Sequence, residues 1–145
     1  MSVAVEPPLG SKTNPAAPRA ANRLLAAIAP ADFERVEKHL EFIPLERGQV
    51  LFEPGEDVVV TPFPAYRTMI PMLIVTRDGH EIEAATVGRE GAVGGIVSAG
   101  AKPAFGRAVV QIAGSAFVIP TAVLEEAKCA SPSFGELFSR YADTL

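Results

Sequence analysis

Along the chain, apolar residues recur first at helical spacing, then in short runs broken by turn residues, then at helical spacing again. Asn22 is a suitable N-cap for a short helix from Arg23 to Ala29, and Pro30 resets the chain. Phe33, Val36 and Leu40 then fall three and seven apart, which predicts a second helix over Asp32 to Glu41. From Phe42 the pattern is β-rich: GQVLF, VVVTPF, TMIPMLIVT, HEIEAATV, GRAVVQI and SAFVIP follow one another, separated by Gly, Pro and Asp. Asp78-Gly79 between two β-branched runs predicts a tight hairpin. Pro71 cannot donate to a ladder, so its strand should be an edge or bulged.

Strands at this spacing with no helices between them indicate an antiparallel β-roll or jelly roll over about residues 42–119. PTAVLEEAK, Pro120 to Lys128, reads as a short helix. Ser131 then caps a further helix with Pro132 at its first position. In that helix Phe134, Leu137, Phe138, Tyr141 and Leu145 form an apolar stripe that is still running at the last residue. The fold class is therefore mainly β with flanking α-helices. Residues 1–21, rich in Pro, Gly, Ser and Asn, are expected to be a flexible tail ahead of one folded domain over 22–145.

Composition narrows the function. At 48% hydrophobic residues, the 145-residue chain can form a core without staples. A net charge of −4 argues against gripping a nucleic-acid backbone, which needs a basic face. The N-terminus lacks the charged start and apolar run of a secretory leader, and no segment approaches the roughly 20 apolar residues that span a bilayer. With one cysteine, Cys129, the chain fits a reducing cytoplasm, and a four-cysteine iron–sulfur centre is excluded.

The glycine-rich stretch Gly88 to Val110, GREGAVGGIVSAGAKPAFGRAVV, is the one place where chemistry is suggested. No Gly-Lys-Ser/Thr follows the glycines, and no GxGxxG opens a helix between parallel strands, so NTPase and dinucleotide loops are excluded. Gly88, Gly91, Gly94 and Gly95 fit turn geometry and an anion pocket equally well. A cupin-type metal site needs several histidines, and the chain has only His39 and His80; a haem would have His80 alone as a credible ligand. No catalytic set is found, and no enzyme activity, metal or cofactor is expected.

Four fragments carry a resemblance: NRLLAAI from Asn22, LERGQVLFEPGE from Leu45, DGHEIEAATVGREGAVG from Asp78, and IAGSAFVIPTAVL from Ile112. In this order and spacing the chain resembles the effector domain of the cAMP receptor protein and FNR (Crp/Fnr) family of bacterial transcription regulators, a cyclic-nucleotide-binding-like fold. The resemblance implies a phosphate-binding cassette opened by a Gly-Glu pair and completed by an Arg-Ser/Thr-Ala triplet. It places that site on Val93, Gly94, Gly95, Ile96, Arg107 and Ala108. Here Gly95 stands where the glutamate belongs; in one register Gly106 and Arg107 occupy the Arg and Ser/Thr positions, and in the other, one residue on, Ala108 follows Arg107 where a hydroxyl is needed. Losing two charged hydrogen bonds of roughly 1.5–3 kcal/mol each should weaken cAMP by about 10²–10⁴-fold.

Between Gly88 and Phe117, Arg89, Lys102 and Arg107 face only Glu90, three positive charges against one negative, a surplus that admits a small anionic effector. The resemblance also implies a homodimer through the terminal helix, with Phe134, Leu137, Phe138, Tyr141 and Leu145 starting its seam. DNA would be bound by a domain absent from these residues. The alternative is a stand-alone module acting in dimerisation or partner binding without DNA.

Overall fold

The computed structural model describes residues 17–94, 104 and 106–144. Three short helices open it: α1 (Ala17–Ala21), α2 (Arg23–Ala27) and α3 (Pro30–Val36), with a 3-10 turn at Glu37–His39. Seven strands follow: β1 (Glu41–Leu45), β2 (Val50–Phe52), β3 (Val60–Ala65), β4 (Ile70–Val75), β5 (Glu81–Val87), β6 (Arg107–Val109) and β7 (Gly114–Pro120). Helices α4 (Thr121–Ala130) and α5 (Pro132–Asp143) close the chain. All strand pairs are antiparallel, in two sheets ordered β1-β7-β3 and β2-β6-β4-β5. The expected jelly roll with flanking helices is what the chain forms.

Three expectations change. Residues 17–21, expected in the tail, form α1 instead, because Arg19 finds partners there. Its guanidinium donates to the carbonyls of Leu25 and Ala26 at 3.3 and 2.9 Å and lies 4.9 Å from the Phe33 ring centroid. The second helix is shorter than Asp32 to Glu41, since Leu40 turns extended and Glu41 already pairs with Val118. Strand β1 is not among the expected runs; its burial proceeds without alternation, and only Leu45 is fully buried.

Strand β7 divides the interior. Its Ala116 and Val118 face a core filled from both sheets by Leu45, Phe52, Ile70, Met72, Val87 and Ala108. Its Phe117 and Ile119 face the other way, joining Phe63 and the apolar residues of the helices. A strand covered on both sides needs a continuous apolar run rather than alternation, and SAFVIP is one.

Prolines are placed where the ladders do not need their missing N–H. Pro62 and Pro64 sit in β3, an edge strand. Their carbonyls are free for other donors, Val93 N at 3.0 Å and Asn22 Nδ2 at 2.8 Å. Pro71 lies inside a sheet rather than at its edge, opposite Thr86, but β6 pairs only with the next two residues of β4, Met72 and Leu73. The strand of Pro71 is thus neither an edge nor itself bulged; the irregularity falls on its partner, where Met72 faces Ala85 and Leu73 faces Glu83, leaving Ala84 as the extra residue of β5. The Asp78-Gly79 hairpin closes through Thr76 N to His80 O at 2.8 Å and Gly79 N to Thr76 O at 3.0 Å, with Gly79 at φ +88.

One turn is strained. Tyr66 takes φ +57 in the Ala65–Thr68 turn, the conformation a glycine adopts without cost. The left-handed region costs a non-glycine residue about 1–2 kcal/mol, part of which glycine gives back as unfolded-state entropy. Tyr66→Gly is therefore expected to stabilise the fold by about 0.5–1 kcal/mol, read as a rise in urea midpoint. A lower midpoint would mean that the half-exposed ring contributes more than the strain costs.

Candidate functional site

The loop Gly88 to Gly94 leaves β5 without secondary structure of its own; Gly88 N and Gly91 N find partners inside it, on Glu90 Oε2 at 3.0 Å and Gly88 O at 3.2 Å, and other backbone groups are satisfied from outside. Both ends of the chain supply the partners. Asn22 is 1% exposed and uses its whole side chain. Its Oδ1 accepts from Leu25 N at 3.0 Å, capping α2, while Nδ2 donates to Pro64 O at 2.8 Å and Gly91 O at 2.9 Å. Next to it, Arg23 N donates to Arg89 O at 2.7 Å. The N-terminal helices are thus bonded to the loop and to the edge of β3 through one amide side chain and its neighbour.

From the other side, α5 lays Tyr141 on the loop. The Tyr141 hydroxyl accepts from Ala92 N at 3.2 Å and faces Ala92 O at 3.4 Å. Burial of the phenol raises its pKa above the ordinary tyrosine value, with Glu90 acting in the same direction and the Ala92 backbone bond opposing both. The hydroxyl therefore stays protonated, able to accept and donate, at neutral pH. Gly91 lies directly beneath it: a Cβ there would overlap the hydroxyl and the ring edge. Only glycine allows the helix this close.

Further along, Gly94 has φ +85, and a Cβ on it would sit 2.8 Å from Val58 Cγ1 and 3.0 Å from Phe52 Cε2. Its carbonyl accepts from Thr61 Oγ1 at 3.2 Å, and Thr61 in turn bonds Thr121 Oγ1 at 2.9 Å. Val93 is buried in the roll. The candidates Gly95 and Ile96, with Lys102 and Leu145, lie outside the described residues.

Arg107 and Ala108 are neighbours on β6 and leave opposite faces of the sheet. Ala108 is fully buried in the roll, paired with Phe52 and Met72. Arg107 is half-exposed on the outer side, where Nε meets Glu53 Oε1 at 2.7 Å and Nη1 meets Glu81 Oε2. The Glu53 bond, reinforced by the charges of Glu53 and Glu81 against some desolvation, raises the guanidinium pKa further. Arg107 is therefore not brought together with Val93 and Gly94. The positive surplus read from the loop is offset here, because one arginine faces two carboxylates.

The terminal stripe is divided as well. Phe134 and Phe138 are each 1% exposed, stacked on one another at 5.0 Å, with Phe138 edge-on to Phe63 at 6.3 Å. Their apolar surface is used inside the protomer, which removes them from a seam built on this arrangement. Leu137 and Tyr141 are only partly buried. At the foot of this helix Ser133 donates to Asp32 Oδ2 at 2.6 Å, joining α5 to α3. Bonds from Ser133 and Ser131, with the Arg35 charge, hold the Asp32 carboxyl below its usual range against the opposing effect of burial.

Sequence reasoning missed the side-chain amide of Asn22, the Gly91–Tyr141 contact and the Glu53–Arg107–Glu81 set. Only Asn22 carried a local signal, as a cap; the others depend on contacts 26 to 54 residues apart. Among the described residues no group of three or more His, Cys, Asp and Glu could hold a metal ion, and no helix is long and apolar enough to cross a membrane. His80 sits exposed in the hairpin, its Nδ1 2.8 Å from Asp78 Oδ2.

No protein-family model matches this chain, and no curated protein matches it in sequence. Solved structures do match. The N-terminal domain of a transcriptional regulator from Streptomyces coelicolor A3(2) superposes with a TM-score of 0.63 at 18% identity, over 88% of this chain and 89% of that one. The Thermus thermophilus catabolite activator protein gives 0.68 at 12% identity, over 83% of this chain but 56% of its own length. The regulatory domain of Toxoplasma gondii PKA, solved with cAMP, gives 0.72 at 11% identity, over 92% of this chain and 51% of that one. At these identities what is shared is the fold, a cyclic-nucleotide-binding-like jelly roll found in transcriptional regulators and in a kinase regulatory domain.

Proposed function

We propose that this chain is the sensor domain of a Crp/Fnr-type transcription regulator, in which the Gly88–Gly94 loop reports to the terminal helix α5 and cAMP is not the signal. The observation that carries the reading is the seat of Tyr141 on Gly91 and Ala92. Through it, any displacement of the loop is felt by α5 within one hydrogen bond. Loop and helix are the two parts that such a domain must connect, one to receive an effector and one to pass on the change.

The fold shared with regulator domains supports the assignment. Weak cAMP binding is supported by the occupation of Arg107 between Glu53 and Glu81, and by Ala108 standing where the triplet has a hydroxyl. A cyclic phosphate would have to displace two carboxylates from the guanidinium before gaining a charge-assisted bond of its own. In this reading a homodimer would use the outward side of α5 around Leu137, and DNA contact would belong to a separate domain.

Titration calorimetry with cAMP and cGMP tests it. No heat is expected at micromolar nucleotide. Saturable binding with a dissociation constant in the low micromolar range or below would overturn the non-cAMP reading.

A further inference from the structure

Beside the loop runs a groove of about 390 Å³, lined by Leu51, Phe52, Glu56, Asp57, Val58, Val59 and Val60. Its size lies at the small end of cavities that hold organic ligands, roughly 300–1,000 Å³. Its walls are of mixed character: Leu51 and Val58 are partly buried, and the adjacent valines Val59 and Val60 are 71% and 43% exposed. Its polar groups are two carboxylates, and no basic side chain lines it among the described residues. Glu56 has one oxygen fixed, with Oε1 accepting from Glu53 N at 2.7 Å, while Asp57 is exposed beside the valines.

We propose that this groove binds a small amphipathic cation, an aromatic or alkyl amine, and that such an amine is the class of effector this domain reads. An apolar body would cover Phe52, Val58 and the exposed valines, and its ammonium group would reach Asp57 and the remaining oxygen of Glu56. An anion of the same shape would meet two like charges and, among the described lining residues, no counterion. The arginine of β6, Arg107, already faces Glu53 and Glu81.

The groove also touches the reporting loop. Phe52 and Val58, which line it, are the two side chains that a Cβ on Gly94 would meet. A ligand that repositions either of them acts on Gly94, and through Gly91 and Ala92 on Tyr141. The inference rests on the sensor reading for its consequence, though not for the binding itself.

A matched pair of probes tests it on the whole chain by amide NMR: phenethylamine, a cation, and 3-phenylpropionate, an anion of similar shape. Phenethylamine is expected to shift Val58, Val59 and Val60 with saturation at about 1 mM or below, and the carboxylate to bind at least about tenfold more weakly. The Glu56→Gln/Asp57→Asn variant should lose about tenfold in amine affinity while keeping the spectrum of the folded chain, because the introduced amide oxygen still accepts from Glu53 N. Equal binding of both probes, undiminished affinity in the variant, or no shift in the valines would overturn the ligand class, leaving the cAMP titration to judge the sensor reading. Amine binding without any change at Ala92 or Tyr141 would confirm the site and overturn its role as a signal to α5.

Discussion

Replacing Asn22 by alanine is expected to destabilise the fold by about 3 kcal/mol, the largest effect of any single side chain outside the apolar core. The cap bond to Leu25 N is worth about 1 kcal/mol. The carbonyls of Pro64 and Gly91 would each lose the amide donor now 2.8 and 2.9 Å away, in a site that excludes water, at about 1 kcal/mol apiece. For a domain of this size the melting temperature should fall by about 10 °C.

Asn22→Asp separates the components. Aspartate caps helices as well as asparagine does, so a role confined to capping predicts almost no loss. A carboxylate facing two carbonyl oxygens at under 3 Å, buried, predicts a loss at least as large as that of alanine. Thermal melts of the two variants decide between them; a loss below about 1 kcal/mol in both would mean that Asn22 does not join the N-terminal helices to the loop.

That side chain marks how far the sequence can be read. Its capping role is local, set by its place before Arg23-Leu24-Leu25, and was legible. So were the Asp78-Gly79 turn, with Gly79 found at positive φ, and the Ser131-Pro132 start of the last helix. The two amide donations were not legible, because their acceptors lie 42 and 69 residues away and are backbone atoms with no residue-type signature.

The surroundings of Arg107 were hidden for a related reason. A phosphate-gripping arginine and one pinned between glutamates have the same neighbours in sequence. Which it is depends on the face of β6 it leaves from, and thus on a register fixed by packing Ala108 against Phe52 and Met72. The apolar stripe of α5 was legible as a stripe, but periodicity alone does not say whether the covering surface is the chain's own roll or a second copy. Phe134 and Phe138 found the roll.

Gly91→Ala is expected to cost about 1–3 kcal/mol, the range for forcing a methyl group into a packed contact. The backbone at Gly91 is not in the glycine-only region, so the effect should come from the collision with Tyr141 alone. The variant in a Tyr141→Ala background should therefore cost less than about 0.5 kcal/mol, giving a coupling of about 2 kcal/mol in a double-mutant cycle. Urea unfolding of the four proteins measures it. Additive losses would show that the loop and α5 are held independently, and would remove the physical basis for a signal passing between them.

The bonds that hold the loop also constrain how the protein folds. Asn22 reaches Gly91 across 69 residues, and Ala92 reaches Tyr141 across 49, whereas the hairpin before the loop closes over four. Contacts that enclose so much chain carry a larger loop-closure entropy than a hairpin does and give little in return until the segments on either side are placed. The β4–β5 hairpin can nucleate early, while the loop gains its shape only when both chain ends have docked. The part of the molecule proposed to receive a signal is then one that takes its shape after its neighbouring hairpin, and one that depends on both the N-terminal helices and α5 being docked.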